Sequence, residues 1–443
     1  MPLPLIARWF RRLFSQRLVL LALGLLVVLG VAALGLWERP NPQQAAGAMT
    51  VANRTSASFE QPAGGLRAAE LARHDAADLV FDRTHVPLTG PADAGLGPQF
   101  VAQSCVACHV RNGRGRAISD EALVRVVEAA GFGPQIQDKA VLGAEPEANV
   151  MVWWRPVRQG STTLRAPDVA VIRPDADPLA ASIGRSLRVA PPLLGLGLLE
   201  AVPESTVTAL ADPDDADGDG ISGRAHWLSG ADGQRRLGRF GWKAISASVR
   251  EQSTDAYQQD MGLTTPASPA NNLDRAGQPA DIGNRELDLV TYYSQTLGAP
   301  RTAMPASRAV VRRGQRLFKD LNCAACHVPT LQTGFTADAV VQAIRNQTIW
   351  PYTDLLLHDM GPGLDDGVAE RGSASREWRT APLWGLGLTQ KINPQATFLH
   401  DGRARSVEEA ILWHGGEADA SRQAFLALAK PQRQALLQWL QQL

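Results

Sequence analysis

Residues 240–256 read FGWKAISASVREQSTDA, and residues 398–414 read FLHDGRARSVEEAILWH. Laid side by side without a gap, they pair Phe240 with Phe398, Ser248-Val249 with Ser406-Val407, Glu251 with Glu409 and Ala256 with His414. A second match precedes them: PPLLGLGLLEAVPE at 191–204 against APLWGLGLTQKINP at 381–394. Self-similarity of this kind marks a duplicated unit. In the second copy Val407, Ala410, Ile411 and Leu412 recur at helical spacing, so the segment reads as a helix packed on a core and ending at His414.

Each copy lies downstream of a cysteine motif, Cys105-Val-Ala-Cys108-His109 in the first half and Cys323-Ala-Ala-Cys326-His327 in the second. C-x-x-C-H is the attachment signal for c-type haem: two thiols bond the vinyl groups and the adjacent histidine supplies an axial iron ligand. Four cysteines also allow two disulfides. Two copies of one motif that use all four cysteines favour two covalently bound haem c groups instead. The expected fold is therefore mainly α, a tandem duplication of two cytochrome c-like domains preceded by one N-terminal transmembrane or signal helix.

The 443 residues are enough for two such domains. Residues 1–37 carry Arg8, Arg11, Arg12 and Arg17 ahead of the uncharged apolar run 18–37, long enough to span a bilayer, with the positive flank on the cytoplasmic side. The AxA-like site Ala46-Gly47-Ala48 lies well beyond the run, which favours an uncleaved anchor over a cleaved signal. The globular part is thus expected in the periplasm, anchored to the inner membrane, or soluble there after cleavage. Residues 38–60 read as a linker, 61–299 as the first domain and 300–443 as the second, divided by the proline-punctuated stretch LGAPRTAMPAS. Gly314, Leu317 and Phe318 share one face of a helix leading to the second motif. Lys+Arg and Asp+Glu both number 44, so no net basic field exists to hold nucleic acid.

Within the first domain an insert near 212–226 contains DDADGDGISGR. Asp215, Asp217 and Asp219 alternate, Gly220 permits a sharp turn, and the Ile221 carbonyl completes a set of oxygens suited to Ca²⁺. His226 stands where an EF-hand has its bidentate glutamate, so the loop is no EF-hand proper. For the iron atoms, the question is what opposes His109 and His327. In the second half His414 is the first candidate, Met360 competes because a thioether also binds haem iron, and His358 is third. In the first half Ala256 takes the place of His414, leaving that haem an open sixth position.

The stretches PQFVAQSCVACHVRNGRG, DGDGISGR, FGWKA, QDMG, CAACHVPTL, YTDLLLHDMGPGL, WRTAPLWGLGL and FLHDGRARSVEEAILWHGGEA together resemble the bacterial di-haem oxidoreductase family over residues 75 to 443. Its members are described as peroxidases and sometimes as thiol oxidoreductases. More distantly the repeat is similar to di-haem cytochrome c peroxidases and to the enzyme that matures the tryptophylquinone of methylamine dehydrogenase. The resemblance implies that Phe240 and Trp242, then Gln252, then Asp260-Met261-Gly262 line the distal side of a peroxidatic haem. Aspartate replaces the peroxidases' glutamate, its spacing from the glutamine is shorter, and His414 aligns with their methionine ligand, implying a bis-histidine second haem of lower potential.

On this reading Asp260 is the acid–base group for peroxide, Gln252 orients it, and Trp242, or alternatively Trp378 or Trp384, bridges the haems. A small electron-donor protein or quinol-linked cytochrome supplies electrons. The rival readings are a di-haem electron-transfer cytochrome with both irons six-coordinate, and a haem enzyme that oxidises residues of a partner protein. With every cysteine committed to haem, nothing in the residues themselves supports thiol oxidation.

Overall fold

The computed structural model describes residues 41–86, 95–118, 121–127, 132–174, 178–230, 232–267, 280–303, 307–335 and 340–443. The N-terminal apolar run lies outside these residues. Among the described residues no helix is long and apolar enough to cross a membrane.

The expectation of a mainly α chain is corrected: the protein is 32% helix and 19% strand, with its strands in small two-stranded sheets. The longest is the antiparallel hairpin Asn149–Gln159 with Thr162–Ile172. Its sequence is rich in Val, Thr and Trp, residues that fit a pleated surface. On one side Leu164 and Ala166 are buried with Phe398, Leu412 and Trp413, so this first-half ribbon packs on the core of the second half.

A second cross-connection runs the other way. Ala46, Met49 and Phe59, in the segment read as a linker, are buried with Leu198, Tyr257 and Tyr293, and also with Leu331, Ile349 and Trp384 from beyond residue 300. Thr50–Val51 pairs in parallel with Ala299–Pro300. Residues Pro42–Leu443 accordingly form one compact unit. Each half thus buries apolar side chains against the other.

The repeat survives locally with high fidelity. The isolated bridges Phe240↔Ser246 and Phe398↔Ala404 fall at matching positions. Gly241 (φ 76°) matches Leu399 (φ 67°), and Ala244 (φ 54°) matches Gly402 (φ 74°), so the left-handed backbone is kept even where a side chain makes it costly. Each segment then enters a helix, Val249–Met261 in the first copy and Val407–Trp413 in the second. Ser248 caps the first by accepting from Glu251 N (3.0 Å), and Ser406 caps the second by accepting from Glu409 N (3.1 Å). Further on, Arg308–Asp320 packs against Lys430–Leu440, with Gly314 close against Ala435 and Leu317 and Phe318 buried.

Candidate functional site

Two cavities of nearly equal size, about 230 and 240 Å³, are each lined by the two cysteines and the histidine of one C-x-x-C-H motif. The first holds Cys105, Cys108 and His109; the second holds Cys323, Cys326 and His327. None of the four cysteines is in a disulfide. Burial raises the Cys105 and Cys108 thiols to about 12 and Cys323 to about 11, so as free thiols they are protonated and poorly nucleophilic at neutral pH.

Both motif histidines are held alike. The Nδ1–H of His109 donates to Pro191 O (2.8 Å) and that of His327 to Tyr352 O (2.9 Å). Binding through Nδ1 fixes the tautomer that leaves Nε2 with a free lone pair, the form a metal requires. Burial drives both imidazoles down to about 4, so they stay neutral. Tyr257 lines the first cavity, and its buried hydroxyl has no hydrogen-bond partner among the described residues. These features fit a bound haem in each cavity.

In the second cavity the His414 ring lies 6.5 Å from that of His327, centroid to centroid. Two imidazoles sharing one metal need about 6.2 Å, from a metal–nitrogen bond of about 2 Å and roughly 1.1 Å more to each centroid. His414 Nδ1 is bonded to Ala410 O (2.7 Å), which again leaves Nε2 available. Met360 lines the same cavity. His358 is otherwise engaged: Nε2 bonds Asp354 (2.9 Å) and Nδ1 bonds Glu417 (2.7 Å). Although burial opposes the charge, Asp354, Cys326 and Glu417 raise it to about 12, and an imidazolium has no lone pair for iron.

The first cavity presents Ala256, Gln252 and Asp260 instead. Its helix ends at Gly262 (φ 66°), where a Cβ would strike Gln99 O at 2.3 Å. That close approach lets Val101 N and Ala102 N bond the Asp260 carbonyl (2.7 and 2.9 Å), pinning the helix end to the strand just before Cys105. The Asp260 carboxylate accepts from Gln135 Nε2 (2.8 Å). Burial raises it to about 6, with the Gln135 bond pulling the other way. Gln252 Oε1 accepts from Ser246 Oγ (3.3 Å).

Sequence reasoning missed the groups behind Asp260. Gln135 is itself held by Arg125 (3.4 Å), and Arg125 pairs with Glu370 (2.7 Å), which also pairs with Arg188 (3.0 Å). Burial would raise Glu370, but Arg188 and Arg125 hold it down at about 2. Arg125 lies on the strand Ala122–Val126, while Glu370 arrives from 245 residues away, so no local pattern links them.

Of the three tryptophans, Trp242 and Trp384 line both cavities, and Trp242 Nε1 donates to Val189 O (2.9 Å). Trp378 lines only the second. It stacks on His400 at 3.6 Å with Lys243 Nζ 4.1 Å and Arg188 4.6 Å from its ring centre. In the acidic insert the clustered carboxylates are those of Asp212, Asp215 and Asp217, within 4.8 Å of one another. Asp219 is not among them; it accepts from Ile221 N (2.9 Å).

A family model described as "Di-haem oxidoreductase, putative peroxidase" matches residues 41–131, 179–280 and 274–443. The chain belongs to this family. As a di-haem oxidoreductase it is a haem enzyme, and the two cavities account for two haems. The long hairpin Asn149–Ile172 falls in the unmatched interval. Among solved structures the chain is similar to a Kuenenia stuttgartiensis hydrazine synthase pressurised with xenon, at 14% identity over 87% of this chain and 94% of that one, with a TM-score of 0.38. No curated protein sequence matches.

Proposed function

We propose that this di-haem oxidoreductase reduces hydrogen peroxide in the first cavity, using electrons relayed from a six-coordinate haem in the second. The overall reaction takes peroxide, two protons and two electrons to two waters. The observation that carries the reading is the asymmetry of one repeated segment: His414 faces His327 across the second cavity, while Ala256 stands at the matching place in the first. A haem held at Cys105, Cys108 and His109 would supply the redox chemistry for cleaving the O–O bond.

The protein's own part is positioning and proton transfer. Asp260, held near 6, is mostly ionised at neutral pH and basic enough to take the proton of one peroxide oxygen and return it to the other. Gln135 orients the carboxylate, and Gln252 offers an amide to the substrate. Trp242 and Trp384 lie on the shared wall and provide the aromatic path between the haems.

Both haems are held by thioethers, at Cys105 and Cys108 and at Cys323 and Cys326, so they stay with the polypeptide on denaturation. The arginines ahead of the run 18–37 support a periplasmic location, with a small donor protein or quinol-linked cytochrome as electron source. Optical and EPR spectra of the ferric protein, followed by peroxide turnover with a small reductant, test the reading. One high-spin and one low-spin haem are expected; two low-spin haems and no turnover would leave only electron transfer.

A further inference from the structure

A guanidinium taken out of water needs an anion, because a buried unpaired charge costs several kcal/mol by rough estimate. Buried arginines near the cavities mostly have one: Arg188 pairs with Asp366 (2.6 Å), Arg125 with Glu370 (2.7 Å) and Arg403 with Asp401 (2.7 Å). Two cavity arginines, buried Arg114 and half-buried Arg379, do not. Arg114 donates only to backbone carbonyls, Nε to Thr397 O (2.7 Å) and Nη2 to Leu399 O. Arg379 does the same, with Nε to Gly241 O (3.0 Å) and Nη1 to Thr380 O (3.1 Å). Arg114 Nη1 and Arg379 Nη2 have no hydrogen-bond partner among the described residues.

The nearest carboxylates are already used, Asp401 by Arg403 and Asp354 by His358. Burial lowers both guanidiniums to about 10, against the opposing pull of Asp401 on Arg114 and of Asp354 on Arg379. Arg114 lines the second cavity, and Arg379 lines both. The held Nε and one Nη aim each guanidinium, and the remaining Nη is free to donate to an anion. Carboxylate is the chemistry that completes such a site.

We propose that Arg114 and Arg379 are the binding site for the carboxylate groups of the bound haems, with Arg379 in the wall between the cavities serving a carboxylate of each. The proposal rests on the reading that a haem occupies each cavity. Arg379 then acts as a shared counter-ion, so its charge influences both haems, whereas Arg114 influences the second alone.

The test is a spectroelectrochemical titration of the holoprotein, with haem content counted first by absorbance. Removing the charge in Arg379→Gln is expected to favour the ferric state of both haems about tenfold, which is about 59 mV for a one-electron couple. Arg114→Gln is expected to shift the second haem only, and the lysine variants at either position recover most of the shift. Two bound haems with unmoved potentials in both glutamine variants overturn the proposal. So do lysine variants as displaced as the glutamine ones, since the carbonyl bonds rather than the charge would then matter. A wild-type protein without two haems overturns the underlying reading instead. Should the glutamine variants fail to fold, redox-difference infrared spectra of the wild type and Arg379→Lys decide: a haem carboxylate band paired with Arg379 moves on substitution, and one that does not move refutes the pairing.

Discussion

Replacing Asp260 by asparagine is expected to lower activity and raise stability together. The amide keeps the volume and the acceptor for Gln135 Nε2, so the packing of the helix end is preserved. It cannot take a proton, and general acid–base groups contribute about 10²–10⁴-fold, so peroxide turnover is expected to fall by that factor. The stability effect follows from the raised carboxyl, which moves from 3.8 to about 6 mainly through burial. Because the folded value exceeds the unfolded one, the stability linked to protonation is fully present below 3.8 and is lost as pH rises through about 6. Each tenfold change in proton affinity is worth about 1.36 kcal/mol, which puts the penalty at pH 7 on the order of 2–3 kcal/mol.

Asp260→Asn removes that penalty. Denaturant unfolding of holoprotein at pH 7 is expected to show the variant more stable by that order, with the difference vanishing near pH 4. The wild-type rate is expected to climb through pH 6 as the base ionises, and the variant's residual rate to lack that limb. A variant with more than half the wild-type turnover, or one no more stable at pH 7 than at pH 4 relative to wild type, would refute the assignment.

Three further outcomes are expected. His414→Ala converts the second haem from low-spin to high-spin in the ferric EPR spectrum; an unchanged spectrum would transfer the ligand role to Met360. Glu370→Gln strips the shared partner from buried Arg125 and Arg188 and is expected to cost about 3–5 kcal/mol in urea unfolding at pH 7. Glu370 is held at about 2, so its contribution is present above its usual value of 4.5 and lost as pH falls through 2; the gap between variant and wild type should narrow on acidification. Trp384→Phe together with Trp242→Phe slows electron transfer between the haems in stopped-flow traces, while Trp378→Phe, which touches one cavity only, leaves that rate within about twofold.

The sequence by itself determined the two C-x-x-C-H motifs of a di-haem chain, and it led to the proposals for attachment and for unequal ligation. These follow from covalent motifs and a gapless repeat, and the backbone obeys that repeat down to the paired left-handed positions at Gly241 and Leu399. The family resemblance singled out Asp260, Gln252 and Trp242, and the structure brings all three to the first cavity. Local pattern could not decide the architecture. The ribbon Asn149–Ile172 and the stretch around Met49 and Phe59 each bury apolar side chains in the other half, and such pairings depend on shape complementarity between segments hundreds of residues apart. For the same reason the chain Glu370–Arg125–Gln135–Asp260, which fixes the proposed base, was invisible to spacing. A charge reveals whether it is paired only after burial removes the water that would otherwise solvate it, so Arg114 and Arg379 acquire their meaning from the tertiary fold alone.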